Sequence, residues 1–125
     1  MKKDDFRNEI ALKVEGETDR GKRLVRMVDQ LVRYCENPSG PEIACQLLSD
    51  IQKSFDEYFK VEESYMQKNH DPDLSVHREQ HRLFMENLVG YSQEITREQG
   101  QISIEFCNYL VEWLNFHFQN LNFEF

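Results

Sequence analysis

Apolar residues recur at helical spacing in four stretches of this chain, and almost nothing alternates in the two-residue rhythm of a strand. Between about Thr18 and Tyr34, the residues Leu24, Met27, Val28, Leu31 and Cys35 stand at i, i+3, i+4, i+7 and i+11, which is one face of a helix. Asn37-Pro38-Ser39-Gly40-Pro41 ends that helix, because two prolines and a glycine cannot continue it. Pro41 suits the first turn of a second helix, whose stripe holds Ile43, Ala44, Leu47, Leu48, Ile51, Phe55, Tyr58, Phe59, Glu62 and Met66.

His70-Asp71-Pro72-Asp73 interrupts the second stripe, and Asp73 or Ser75 is placed to cap a third helix through His77, His81, Phe84 and Leu88 toward Ile95. Gly90 weakens that helix without ending it. After the turn Glu98-Gln99-Gly100, a fourth helix is expected over Ile102 to Asn120, with Ile104, Phe106, Leu110, Trp113, Leu114, His117 and Leu121 facing inward. Four amphipathic helices with short connections predict an all-α fold, an antiparallel up-down-up-down four-helix bundle. Residues 18–125 would form this single domain. Residues 1–17 are expected as an extended N-terminal arm across it, since Phe6, Ile10, Leu12 and Val14 lack helical spacing.

Composition narrows the classes of function. A chain of 125 residues, 39% of them apolar, can bury one real core, but no run approaches the ~18 consecutive apolar residues of a membrane span. The net charge is -8 and no basic cluster exceeds Lys22-Arg23 with Arg20 and Arg26 nearby, so nucleic acid and membrane are not expected partners. Met1-Lys2-Lys3-Asp4-Asp5 leads into polar sequence without the features of a signal peptide, which makes a cytoplasmic location the expectation. Cys35, Cys45 and Cys107 are odd in number and lack CxxC spacing; they read as idle thiols, with a redox role for Cys35 and Cys45 as the alternative. No nucleophile stands in a convincing arrangement with histidine and acid, and no glycine-rich phosphate loop is present, so an enzyme is not expected.

The remaining chemistry is that of metal ligands. His77 and His81 are four residues apart, on one helical face that Phe84 and Leu88 continue, so both imidazoles belong to an apolar stripe. Glu62 lies in the stripe of the second helix among Phe55, Tyr58, Phe59 and Met66, where an unpaired carboxylate would be strongly unfavourable. His117 shares a face with Leu110, Trp113 and Leu114. Three helices thus direct polar side chains into one core. Either a cation gathers them, or Glu62 and the histidines form a metal-free hydrogen-bonded network; the residues alone leave both open. His70 reads as a solvated loop histidine, and Glu63, about 100° around the helix from Glu62, as a surface or supporting group. Met66 and Trp113 stand at core spacing and read as packing. Phe116, Phe118, Phe123 and Phe125 are dense enough both to cap the bundle and to offer a homodimer or partner contact.

These runs resemble the hemerythrin family, especially its bacterial members, over almost the whole chain from Phe6 to Phe125. Family members read approximately HFxxEExxM, then HxxxH fifteen residues after the first glutamate, then WLxxHxxxxD. Here the corresponding runs are Tyr58-Phe59-Lys60-Val61-Glu62-Glu63 with Met66, then His77 to His81, then Trp113-Leu114-Asn115-Phe116-His117 with Asn122. The first helix aligns as well. It puts Gly21 where the family has its first histidine and Phe6 where bacterial members usually have a tryptophan.

The resemblance implies a bundle around two non-haem irons, one with three histidines and one with two, bridged by a glutamate and an aspartate. Carried over, His77, His81 and His117 hold one iron and Glu62 is the bridge. The other half is degenerate: Gly21 has no side chain, Tyr58 offers a phenol in place of an imidazole, and Asn122 replaces the aspartate with a neutral amide. The expected cofactor is therefore iron, one ion per chain rather than two, with dioxygen or another small ligand and a signalling protein as candidate partners. Oxygen or redox sensing, or iron handling, is expected rather than ordinary oxygen carriage. The alternatives are a metal-free interaction or regulatory bundle, and an oxygen-binding di-iron protein that uses substitute ligands such as Tyr58.

Overall fold

Among the described residues there are four helices: α1 (Asp19–Glu36), α2 (Pro41–Lys68), α3 (Leu74–Arg97) and α4 (Ile104–Gln119). The structure, a computed structural model, describes residues 19–119; the expected arm over residues 1–17, and Leu121, Asn122, Phe123 and Phe125, lie outside the described residues. Among the described residues there is no strand, and the fold is an all-α four-helix bundle. No described helix is long and apolar enough to cross a membrane.

Local chemistry sets each boundary. Pro41 stands at the start of α2, where its missing N–H is no loss, and Gly40 before it takes φ +120°, a conformation open to glycine. At the other end, the Asp71 N–H bonds the Met66 carbonyl at 2.9 Å and His70 takes φ +52°, a left-handed C-terminal closure. Helix α3 closes in the same way, with the Gly100 N–H on the Ile95 carbonyl at 2.9 Å. Asp73 occupies the N-cap position of α3 without a capping hydrogen bond from its side chain; its own N–H bonds the Asp71 carboxylate at 2.9 Å instead. Helix α4 begins at Ile104, two residues later than its apolar pattern suggests. The hydroxyl of Ser103 accepts the Phe106 N–H at 3.2 Å and so fixes the start. Gly90 leaves α3 continuous, as expected.

The short connections lay α2 against α1 and α3 against α2, and α4 returns to lie against α1. At one end of the bundle the Tyr34 hydroxyl contacts two carbonyls, Gly40 at 2.8 Å and Gly100 at 3.2 Å, tying the end of α1 to the α1–α2 and α3–α4 connections. Cys35 Sγ adds a contact to the Ile102 carbonyl at 3.2 Å. The core between the ends contains Leu24, Leu31, Ile51, Phe55, Leu88, Phe106, Leu110 and Leu114, all almost fully buried. Each such side chain contributes about 1.5–3 kcal/mol by leaving water. Phe84 joins three helices, with its ring 4.7 Å from Phe55 of α2 and 4.3 Å from Trp113 of α4.

Two expected inward positions are turned outward. Ile43 is 48% exposed and Ile104 42% exposed, because each lies in the first turn of its helix, at the rim of the bundle. Cys107 and Val111 are buried on α4 instead, so that Cys107, Leu110, Val111, Leu114 and His117 form its inward stripe.

Candidate metal centre

The end of the bundle away from the Tyr34 tie brings together the last turns of α2 and α4 and the early turns of α3. Glu62, His81 and His117 converge there, and all three are buried. One ligand atom from each lies within 4.8 Å of the other two. The Glu62 carboxylate is fully enclosed; its Oε2 lies 2.8 Å from His117 Nε2 and its Oε1 lies 3.0 Å from His81 Nε2.

These two contacts differ in kind. The His117 contact is a directed hydrogen bond, whereas His81 Nε2 and Glu62 Oε1 are close but poorly aligned, and neither atom has a hydrogen-bond partner. His81 Nε2 and Glu62 Oε1 thus meet as a close ion-pair contact at 3.0 Å without hydrogen-bond alignment, which is uncommon for buried polar atoms. Burial acts to raise the Glu62 carboxyl, but the neighbouring imidazoles of His117 and His81 outweigh it and hold the group down at about 2. The carboxylate is therefore ionised across the physiological range.

Aromatic rings fix the imidazoles. Phe59 stacks on His81 with centroids 3.9 Å apart and planes 5° apart, and Trp113 stacks on His117 at 4.9 Å and 11°. Behind the site, His81 Nδ1 lies 2.7 Å from Glu63 Oε2, and Glu63 Oε1 lies 3.3 Å from Arg78 Nε. A groove of about 290 Å³ between α3 and α4 includes His77, Phe84, Trp113 and His117 in its lining and opens past the exposed side chains of Leu83 and Phe116.

Of the residues the sequence singled out, the structure brings Glu62, His81 and His117 together. His77 is not part of that group: it is half-buried and its Nδ1 is 3.3 Å from the Asp73 carbonyl. Tyr58 is buried beside the site with its ring 5.7 Å from His117. Gly21 is buried in α1 and has no side chain to offer a metal, while Asn122 lies outside the described residues. His70 is exposed in the α2–α3 connection.

The donor set suits a transition metal. Two imidazoles and one carboxylate match the ligand type of mononuclear non-haem Fe(II) sites and of many Zn(II) sites. Ligand bonds of about 2.1 Å put neighbouring donors of an octahedral ion about 3.0 Å apart, close to the two separations found here. The same three groups can also satisfy much of one another's charge without an ion, and the His117–Glu62 hydrogen bond is part of that arrangement.

Comparison of the chain with protein-family models, with curated proteins and with solved structures finds no match.

Proposed function

We propose that this protein is a hemerythrin-like metal-binding bundle that holds a single divalent ion, iron by the resemblance, between Glu62, His81 and His117. The observation that supports it most is the convergence of three buried side chains, with one ligand atom each of Glu62, His81 and His117 within 4.8 Å of the others and His81 Nε2 and Glu62 Oε1 3.0 Å apart without hydrogen-bond alignment. A cation between them and His117 Nε2 would satisfy both atoms at once. In this reading Glu62 supplies negative charge, the two imidazoles supply neutral nitrogen donors, and Phe59 and Trp113 hold the rings in plane. A bound ferrous ion would supply an electron and coordination positions open to a small ligand. With the second half of the family's centre lacking imidazoles at Gly21 and Tyr58, the function that fits is oxygen or redox sensing, or iron handling, in the cytoplasm.

Anaerobic loading with Fe(II), followed by desalting and elemental analysis, tests this reading. The expected result is nearer one than two equivalents per chain. Two firmly held irons with an oxo-bridge absorption would overturn it.

One observation favours a second reading. Glu62 is already ionised and hydrogen-bonded by His117 without any metal, as a purely structural polar network in an interaction or regulatory bundle would be. Thermal stability unchanged by both chelation and added iron would select that reading, since a ligand bound only by the folded state must raise its midpoint.

A further inference from the structure

An imidazole can ligate an ion through one nitrogen only if the ring is turned the right way and its proton sits on the other nitrogen. Stacking on Phe59 fixes the plane of the His81 ring, but a half-turn about the Cβ–Cγ bond preserves that plane. Such a turn would replace Nε2 by a carbon where the ring faces Glu62, so the sense of the ring must be set by something else.

Glu63 is placed to set it. Although its backbone position points away from the site, its carboxylate reaches across the α2–α3 seam to His81 Nδ1, at 2.7 Å. An ionised carboxylate can only accept, so the Nδ1–H must donate. The other carboxylate oxygen lies 3.3 Å from Arg78 Nε, three residues before His81 on the same helix. Glu63 is thus clasped by α3 at two points.

We propose that Glu63 is a positioning residue for His81: it accepts the Nδ1–H, keeps Nε2 turned toward Glu62 as the donor atom, and is itself steadied by Arg78. The proposal rests on the reading of Glu62, His81 and His117 as the site of one divalent cation. It assigns a role to a side chain that touches neither the ion nor the other two ligands. Supporting carboxylates of this type also raise the basicity of the imidazole, and their loss weakens metal affinity by about 10- to 100-fold. The side chain of Glu63 is 24% exposed and that of Arg78 51% exposed, so solvent screens the outer link more than the inner one. Loss of Arg78 should therefore weaken binding by at most about fivefold, the weight of a half-exposed ion pair.

The test uses the full chain and Zn(II) as a diamagnetic probe, with affinity read by competition against a chromophoric chelator and ring protons by nitrogen-15 NMR. In the zinc-loaded wild type, His81 should show a protonated Nδ1 and a metal-bound Nε2. Glu63→Ala should lose about 10- to 100-fold in affinity. Glu63→Gln should recover part of that loss, because an amide oxygen still accepts the Nδ1–H. Circular dichroism of the metal-free variants checks folding; should Glu63→Ala not fold, Glu63→Gln and the wild-type ring proton decide the matter. Wild-type affinity in both variants, or zinc-loaded His81 without an Nδ1 proton, overturns the role of Glu63 and leaves the metal site standing. Failure of the wild type to take up zinc or iron overturns the site and this role together.

Discussion

Trp113 lies parallel to His117, with ring planes 11° apart and centroids 4.9 Å apart. Since Trp113 is the only tryptophan in the chain, its fluorescence reports on this end of the bundle alone. Co(II) or Fe(II) bound beside His117 is expected to quench that emission and to saturate near one equivalent, with His117→Ala abolishing the response. Emission that stays flat through several equivalents in the wild type would argue against an ion at His117.

The ligand assignment separates the two histidines of the HxxxH pair. Zn(II) at about 100 times its dissociation constant should stabilise the wild type by about 2.7 kcal/mol, a rise in melting midpoint of roughly 10 °C for a domain of this size. His81→Ala should remove that rise. His77→Ala should keep most of it, because His77 lies outside the close group of Glu62, His81 and His117. Differential scanning fluorimetry of the three proteins with and without zinc distinguishes these outcomes, and equal losses in the two variants would contradict the assignment.

Acid should attack the metal-free protein through Glu62. Its carboxyl titrates at about 2 in the folded state against an ordinary value of 4.5, so the folded form binds the proton less readily than the unfolded chain. The resulting stabilisation is complete above about pH 4.5 and is lost as the pH falls from there toward 2. Urea unfolding midpoints measured at intervals between pH 6 and pH 2 should fall through this window in the wild type. Glu62→Gln should show a shallower decline, and parallel curves would exclude Glu62 as the responsible group.

Two glycines should respond in opposite directions to the same substitution. Gly90 sits inside α3 with nothing within 4 Å of where a Cβ would be, so Gly90→Ala should stabilise by about 0.5–1 kcal/mol. Gly100 holds φ +86°, and a Cβ there would stand 2.6 Å from Pro41 Cα. Gly100→Ala should destabilise by about 1–3 kcal/mol, as expected for a strained backbone position without room to relax. Chemical denaturation of both variants checks the signs.

Much of the fold was legible because burial leaves a period in the sequence. The α1 stripe of Leu24, Val28 and Leu31 and the α2 stripe from Ala44 to Met66 predicted helices whose ends fall within about two residues of those found. Glu62 and His117 stood out because a polar group within an apolar stripe demands a partner. His77 shows where that reasoning stops. Four residues bring two side chains to the same face, but a shared face does not bring both to the same partner: His77 is half-buried with its Nδ1 at the Asp73 carbonyl, outside the group of Glu62, His81 and His117. Ile104 shows a related limit: helical phase says which way a residue points, not whether a neighbouring helix extends far enough to cover it. For Glu63 the sequence left a surface and a supporting role open; its partner was not legible, since a long side chain can bend back to a neighbouring helix that its own position does not face.

The Tyr34 hydroxyl, its one proton facing two backbone carbonyls, gives the molecule an anchored base. With both loops at that end fastened to one phenol, slow hydrogen exchange should concentrate there, and spontaneous opening should begin at the opposite tips, as the arms of tongs part about their joint. Glu62, His81 and His117 stand between those tips, so any ion or small molecule that engages them acts as a clasp, and its arrival would be registered as a change in how far the arms can spread.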